Sequence, residues 1–391
     1  MTGMTAATFM TSTMTSTMTS TDGDKTQTET DSPRRHLPVV GRGSFPRMES
    51  ALELKPLADG LSRPIRYLRL SLTDRCNFRC TYCMPEQGIE LAPRNEVLSF
   101  EEIGYAVAGL ALVGVKRVRL TGGEPTVRKD LVPLVARLSR LALDDLALST
   151  NGERLFELAR PLKDAGLHRL NVSVDTLDEA RFRNLTRRGN LAQVLAGLDE
   201  AKKVGFVHTK VNCVAMRGFN DDELASLCRY CWDRDFIPRF IELMPMSEGT
   251  LFYPGEFLPV AEIRRILSEA FGPLRSGETG EPLPGVGPAR YASFEYKGAP
   301  RRVGMISAVT EPFCDTCNRV RLSATGQLHG CLAYDDAIDL RAVLRSGLSG
   351  DELLEGLVNV TRAGLQEKRA GHVFSETGCG GPRKHMVSIG G

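Results

Sequence analysis

The sequence lacks a long apolar run. The longest clean one, AVAGLALVGV at residues 106–115, is about half of what a membrane-spanning helix needs, so no bilayer span is expected. It also lacks a charge imbalance. The 50 Lys and Arg residues against 48 Asp and Glu leave a formal charge of +2, which removes the electrostatic footprint of a nonspecific nucleic-acid binder. Residues 1–30 are rich in Thr, Ser and Met but have neither the basic start nor the apolar stretch of a secretory signal. A reducing, cytoplasmic setting follows, in which cysteines serve metals or redox chemistry more often than disulfides.

What is present is a soluble globular composition, 42% hydrophobic and 25% charged. The 391 residues fit one large α/β unit with an accessory region. Residues 1–50 are of low complexity and read as a disordered tail. From residue 60 to 271, β-branched or apolar strands alternate with helical periods. The strands are RYLRLSLT (66–73), KRVRLT (116–121), DLALST (145–150), HRLNVSVD (168–175), TKVNCVAM (209–216) and RFIELM (239–244). Ser99 followed by Glu102 marks a helix start, and Gly114 and Gly205 mark helix ends. Six such units with right-handed crossovers make a parallel sheet, either doubly wound or an incomplete barrel. In both, chemistry belongs at the C-terminal strand ends. Cys76, the GGEP of residues 122–125, Thr150-Asn151-Gly152, Asp175 and Met244 all fall there. Residues 272–391 read as an accessory region, with a Gly/Pro-rich loop, short strand-like pieces and a final helix at 351–371.

Six of the ten cysteines form two compact sets, Cys76-x3-Cys80-x2-Cys83 and Cys314-x2-Cys317-x13-Cys331. A structural zinc ion wants four ligands in a closed tetrahedron, and no histidine lies near the first set. Three thiolates can instead hold an iron–sulfur cube and leave one iron open to a small molecule. For the second set, zinc completed by His329 or Cys379 is the alternative. Cys213, Cys228, Cys231 and Cys379 otherwise read as buried thiols, since the Cys228–Cys231 spacing lies in a helical pattern.

CNFRCTYCMP (76–85), with Tyr82 just before the last cysteine, resembles the radical S-adenosylmethionine superfamily. TGGEP (121–125) is similar to the motif with which that superfamily holds the methionine amino group. Glycine lets backbone carbonyls come close there, and Glu124 adds an acceptor. FCDTCNRVRL with the later GCL (330–332), together with RLTGGEPTVRKDL, STNG, LNVSVD, FIELMPM and the final Gly-Gly, resembles the GTP 3′,8-cyclase family over residues 60–391. Ser149 stands where Thr is commoner in similar sequences, and it keeps the hydroxyl.

That resemblance implies a TIM-type incomplete barrel with a C-terminal region carrying a second cluster. It implies two [4Fe–4S] clusters, held by Cys76, Cys80 and Cys83 and by Cys314, Cys317 and Cys331, with Tyr82, Gly123, Ser173 and Met244 at S-adenosylmethionine. Arg69, Arg119, Ser149, Lys210, Arg319 and Arg321 are implied at GTP, and Arg319, Gly390 and Gly391 in catalysis. Arginine suits a triphosphate because its planar fork donates in pairs and stays charged. The implied partners are GTP, an external electron donor and the next enzyme of molybdenum cofactor synthesis, cyclic pyranopterin monophosphate synthase; a homodimer is left open. Two rival readings stand beside this one. Another radical S-adenosylmethionine enzyme with an auxiliary cluster would act on a peptide. A zinc-binding nucleic-acid module would bind RNA or DNA in a salt-sensitive way.

Overall fold

The computed structural model describes residues 55–276 and 287–390, apart from 373, 376, 379 and 380. The expected tail (1–50), Cys379 and Gly391 lie outside the described residues. The strands are β1 (Tyr67–Ser71), β2 (Arg117–Thr121), β3 (Asp145–Thr150), β4 (Arg169–Ser173), β5 (Lys210–Ala215), β6 (Ile237–Glu242), β7 (Arg275–Ser276), β8 (Arg290–Tyr296), β9 (Ala299–Ile306), β10 (Arg319–Leu322), β11 (Gln327–His329) and β12 (Ile338–Asp339). The helices are α1 (Phe100–Leu112), α2 (Leu131–Leu138), α3 (Leu155–Asp164), α4 (Glu179–Thr186), α5 (Leu191–Lys203), α6 (Leu224–Trp232), α7 (Val260–Phe271), α8 (Leu340–Leu344) and α9 (Gly350–Leu365).

Local signals set several of these boundaries. Ser99 Oγ accepts from Glu102 N at 3.1 Å while Ser99 N donates to Glu102 Oε2 at 2.7 Å, the reciprocal cap expected at the start of α1. Asp178 and Asn190 cap α4 and α5 from one side only, their side chains accepting from Arg181 N and Gln193 N. Gly114 and Gly205 follow α1 and α5 with φ of +99° and +84°, where a Cβ would be strained.

All the strands join one curled sheet in the order β12-β11-β10-β1-β2-β3-β4-β5-β6-β9-β8-β7. From β10 to β9 every pairing is parallel. Of the two architectures the alternation allows, the incomplete barrel implied by the resemblance is the one present, but its parallel run is longer than six strands. β10 adds beside β1 and β9 beside β6, so the C-terminal segment extends the barrel at both flanks of the central six.

Within each strand the side chains alternate between two environments, both sheltered. The outward row of Leu68, Leu70, Val118, Leu120, Leu146, Leu148, Leu170 and Val172 is fully buried and belongs to the main apolar core with the helices. Each such side chain contributes about 1.5–3 kcal/mol. The inward row is polar: Arg69 lies opposite Arg119 and Arg321, Asn171 opposite Lys210, and Asn212 opposite Arg239. Arg169 and Asp145 form a buried, two-pronged pair across β3 and β4, with Arg169 Nε donating to Asp145 Oδ1 at 2.7 Å and Nη2 to Oδ2. No described helix is long and apolar enough to cross a membrane.

Removing the carboxylate of that pair leaves a buried guanidinium without its counter-charge. Asp145→Ala is expected to destabilise the protein by about 3–5 kcal/mol, read as a lowered midpoint of urea unfolding. The double variant Asp145→Leu/Arg169→Met should recover most of the loss.

Candidate active site

At the C-terminal ends of the parallel strands the barrel opens into a cavity of about 310 Å³. Both cysteine sets line it, with Tyr82, Gly123, Ser149, Ser173, Met244, Arg69, Arg119, Arg319 and Arg321.

The first set lies on the loop after β1. Phe78 N donates to Cys76 Sγ at 3.4 Å, and Cys83 N and Met84 N close a turn on the Cys80 carbonyl. Burial pushes the Cys76 thiol up to about 11 and Cys83 up to about 12, and it raises Cys80 strongly. Next to this loop runs the Gly122–Gly123 turn. Gly123 N donates to the Thr73 carbonyl at 2.7 Å, and a Cβ on Gly123 would sit 2.4 Å from the Arg75 carbonyl oxygen. The two loops can touch only because the turn carries no side chain. Glu124 is buried, and much of its accepting capacity is used internally. It takes hydrogen bonds from Thr126 N and Oγ1, Thr150 Oγ1 and Asn151 N, so it ties the turn to the end of β3. Tyr82 donates its hydroxyl to Asp175 Oδ2 at 2.9 Å, and burial raises Asp175 to about 6.

The second set lies before β10 and after β11. Cys317 N donates to the Cys314 carbonyl at 3.0 Å, forming a tight turn. Burial works to raise the Cys317 thiol, but the cations Arg319 and Lys368 outweigh it and hold the thiol below its ordinary range. His329 is not among the residues lining the cavity, and its Nδ1 is 2.9 Å from the Asp336 carbonyl and 3.0 Å from Lys384 Nζ. His372 does line the cavity, yet its Nδ1 accepts from Phe374 N at 3.3 Å and its ring stacks on Phe374. Among the described residues no three His, Cys, Asp or Glu groups converge tightly enough for a single ion. Among the described residues each site offers three thiols to a shared cavity, a donor set suited to a thiolate-held iron–sulfur cluster.

Between the two sets the barrel wall is cationic. The Gly390 carbonyl accepts from Arg69 Nε at 3.3 Å and from Arg321 Nη1 at 2.8 Å, which brings the C-terminal segment onto the arginines. Gly390 has φ +74°, and a Cβ there would meet Thr121 Cγ2 at 2.8 Å. Arg119 lies over the Tyr67 ring at 5.4 Å, and its Nε finds no acceptor among the described residues. Burial and then Arg321 depress Arg69; burial and then Arg319 lower Arg321 to about 10. Arg239 donates to Asn212 Oδ1 and Asn171 Oδ1, which are neutral acceptors.

All but one of the expected residues in the described segments line the cavity or bond to its walls. The exception is Lys210, which lies below the lining, buried at 2% exposure. Burial, Arg239, Arg169 and Arg119 together lower its ammonium to about 6. Three lining features escaped the sequence reading: Arg239, Asn212 and the neighbouring pair His372 and Phe374. For Arg239 and Asn212 a signal existed, because both occupy inward positions of the strand alternation that holds Arg69 and Arg119.

Comparison with known proteins places this geometry among relatives. The Radical SAM superfamily profile matches residues 70–231, and the Molybdenum Cofactor Synthesis C profile matches residues 237–374. A GTP 3′,8-cyclase of Pseudomonas putida strain W619 is 44% identical over 83% of this chain and 95% of its own length. A GTP 3′,8-cyclase of Heliobacterium modesticaldum is 43% identical over 86% of this chain and 100% of its own. Among solved structures, Streptococcus suis SuiB bound to S-adenosylmethionine shares the fold, with a TM-score of 0.52 at 13% identity over 69% of this chain. The chain spans 60% of that structure's length.

The buried, depressed Lys210 makes a stability prediction with a definite sign. Its folded pKa of about 6 lies below the ordinary 10.5, so the unfolded chain binds more protons between these values. Stability of the ligand-free protein should rise with pH across that window. Lys210→Met should raise the urea midpoint at pH 7 and flatten the rise, as checked by unfolding at several pH values.

Proposed function

This chain belongs to the GTP 3′,8-cyclase family of the radical SAM superfamily, and we infer that it converts GTP to (8S)-3′,8-cyclo-7,8-dihydroguanosine 5′-triphosphate. That is the first step of molybdenum cofactor biosynthesis, in keeping with the C-terminal match. The observation that carries this reading is the meeting of two three-cysteine sets and an arginine wall on one cavity.

Cys76, Cys80 and Cys83 would hold a 4Fe–4S cluster, and Cys314, Cys317 and Cys331 a second one, each with an iron left without a protein ligand. When bound, the first cluster and S-adenosylmethionine supply a 5′-deoxyadenosyl radical that takes the ribose C3′ hydrogen. The residues of the chain do the rest. The side-chain-free Gly122–Gly123 turn lets backbone approach the methionine amino group, with Tyr82, Ser173 and Met244 around the cofactor. Arg69, Arg119, Arg319 and Arg321 clamp the triphosphate, with Arg239 adding positive charge from below, and Lys210 beneath it would take up a proton as the polyanion arrives. Ser149 offers the bound nucleotide a hydroxyl. The guanine would lie on the side of Cys314, Cys317 and Cys331, which would bring C8 toward C3′. Gly390, seated on Arg69 and Arg321, lets the end of the chain enter beside the substrate without a clash.

The test is anaerobic incubation of the cluster-loaded protein with GTP, S-adenosylmethionine and a reductant. We expect 5′-deoxyadenosine and the cyclised nucleotide in equal amounts; 5′-deoxyadenosine formed with a peptide but not with GTP would overturn the reading. Arg321→Met should lower kcat/KM for GTP about tenfold or more, about 1.4 kcal/mol. Deleting Gly390 and Gly391 should suppress cyclised product by at least a similar factor.

A further inference from the structure

Behind the second cysteine set lies a buried charged group that the reaction above does not use. Arg63 Nε donates to Asp59 Oδ2 at 2.7 Å, Nη1 to the Cys314 carbonyl at 2.9 Å and the Ala370 carbonyl at 3.0 Å, and Nη2 to the Arg369 carbonyl at 2.8 Å. Lys368 Nζ donates to the carbonyls of Cys317 and Arg319, both at 3.2 Å, and lies 3.6 Å from Cys317 Sγ. It is also 3.7 Å from Asp59 Oδ2, with its side chain 2% exposed and that of Asp59 0%. Two residues outside the cysteine motif thus grip both backbone carbonyls of the Cys314–Cys317 turn, one from each end of the accessory contacts.

The charges in this group do not cancel. One carboxylate faces two cations, and a surplus positive charge taken out of water demands a further anion. Carbonyls could have been satisfied by neutral donors. The atom that can supply the missing charge is Cys317 Sγ, as a thiolate in a metal cluster. Arg319 also bonds to Cys317, but it lines the cavity and meets whatever enters there. Lys368 does not line the cavity, so its field at the sulfur is constant whether or not substrate is bound.

We propose that Lys368, oriented by Asp59, is a positioning residue that sets the reduction potential of the cluster held by Cys314, Cys317 and Cys331. The proposal rests on the reading that this set holds a 4Fe–4S cluster. A cation and an N–H donor at a ligating sulfur stabilise the more negative, reduced form, so they raise the potential. The same hydrogen bonds fix the turn that presents two of the three thiolates.

The experiment is a redox titration of both clusters, followed by electron paramagnetic resonance, in the full-length wild type, Lys368→Gln and Lys368→Arg. Glutamine keeps an N–H donor for the carbonyls and removes the charge; arginine keeps both. We expect the second cluster's midpoint to fall in Lys368→Gln, to stay near wild type in Lys368→Arg, and the first cluster's midpoint to be unmoved in both. Loss of the second cluster's iron in the Gln variant alone would also support the assignment. A Gln variant that titrates with wild type, or loss of the cluster in both variants, would overturn it. The wild-type iron content keeps the two readings apart. About eight irons per chain are expected for two cubes, and iron for one cube alone would remove the second-cluster reading itself rather than the role of Lys368.

Discussion

The constraint on which this structure depends is a surplus of positive charge inside a protein. Arg69, Arg119, Arg239, Arg319 and Arg321 lie on inward strand positions or along the cavity, the charge of Lys210 is already suppressed by burial and by its cationic neighbours, and the buried carboxylate of Asp145 is matched to Arg169. Taking an unpaired cation out of water costs several kcal/mol even after relaxation. The fold tolerates this because each of the six central strands also carries an outward apolar row locked into the helical layer. It softens the charges with neutral partners: Asn171 and Asn212 on Arg239, the Tyr67 ring beneath Arg119, and the Gly390 carbonyl on Arg69 and Arg321. What remains unmatched is a standing affinity for a polyanion.

The accessory strands explain how the two cysteine sets come to face each other. β10 pairs with β1 in parallel register, so Arg321 falls opposite Arg69, and the second cysteine turn ends just before β10. A separate domain docked by side chains would leave that register free to slip; a strand ladder fixes it. The C-terminal segment is held by comparable means. Ser247 N and Glu248 N donate to the carbonyls of Lys384 and Pro382, and Gly381 lies so close to Pro245 that a Cβ would sit 1.6 Å from its carbonyl oxygen. The segment after β6 that carries Met244 therefore also seats the approach to Gly390.

Much of this was legible in the sequence, and the exceptions have a common cause. The six central strands are short and strictly alternating, so period alone locates them within a residue or two of their ends; KRVRLT (116–121), for instance, contains β2 (Arg117–Thr121). The pieces YASFEYKG and RVGMIS could be read as strands but not assigned a neighbour, because pairing partners separated by dozens of residues leave no local trace. The same limit hid the depth of Lys210, which depends on strand stagger, and the internal occupation of Glu124, which depends on the approach of the β3 end. Arg239 and Asn212 were legible in principle. Arg69 and Arg119 were singled out by the family resemblance, but an arginine at an inward position of a buried strand is a signal in its own right, and it recurs in β6.

The two cysteine sets differ in their electrostatic surroundings, and the difference gives the cavity a direction. Carboxylates outnumber cations near the first set: the Cys76 thiol feels Glu124 and Glu153 against Arg79, and the Cys80 and Cys83 thiols feel Asp175. Cations stand near the second, with Arg319 and Lys368 at Cys317 and Arg63 at Cys314. Negative charge beside an iron–sulfur centre disfavours its reduction, and positive charge favours it. A centre at the first set is thereby suited to give an electron away, and one at the second to hold an electron-rich ligand. An anionic substrate between them would be drawn to the cationic side and away from the carboxylates, which would orient it ahead of the chemistry.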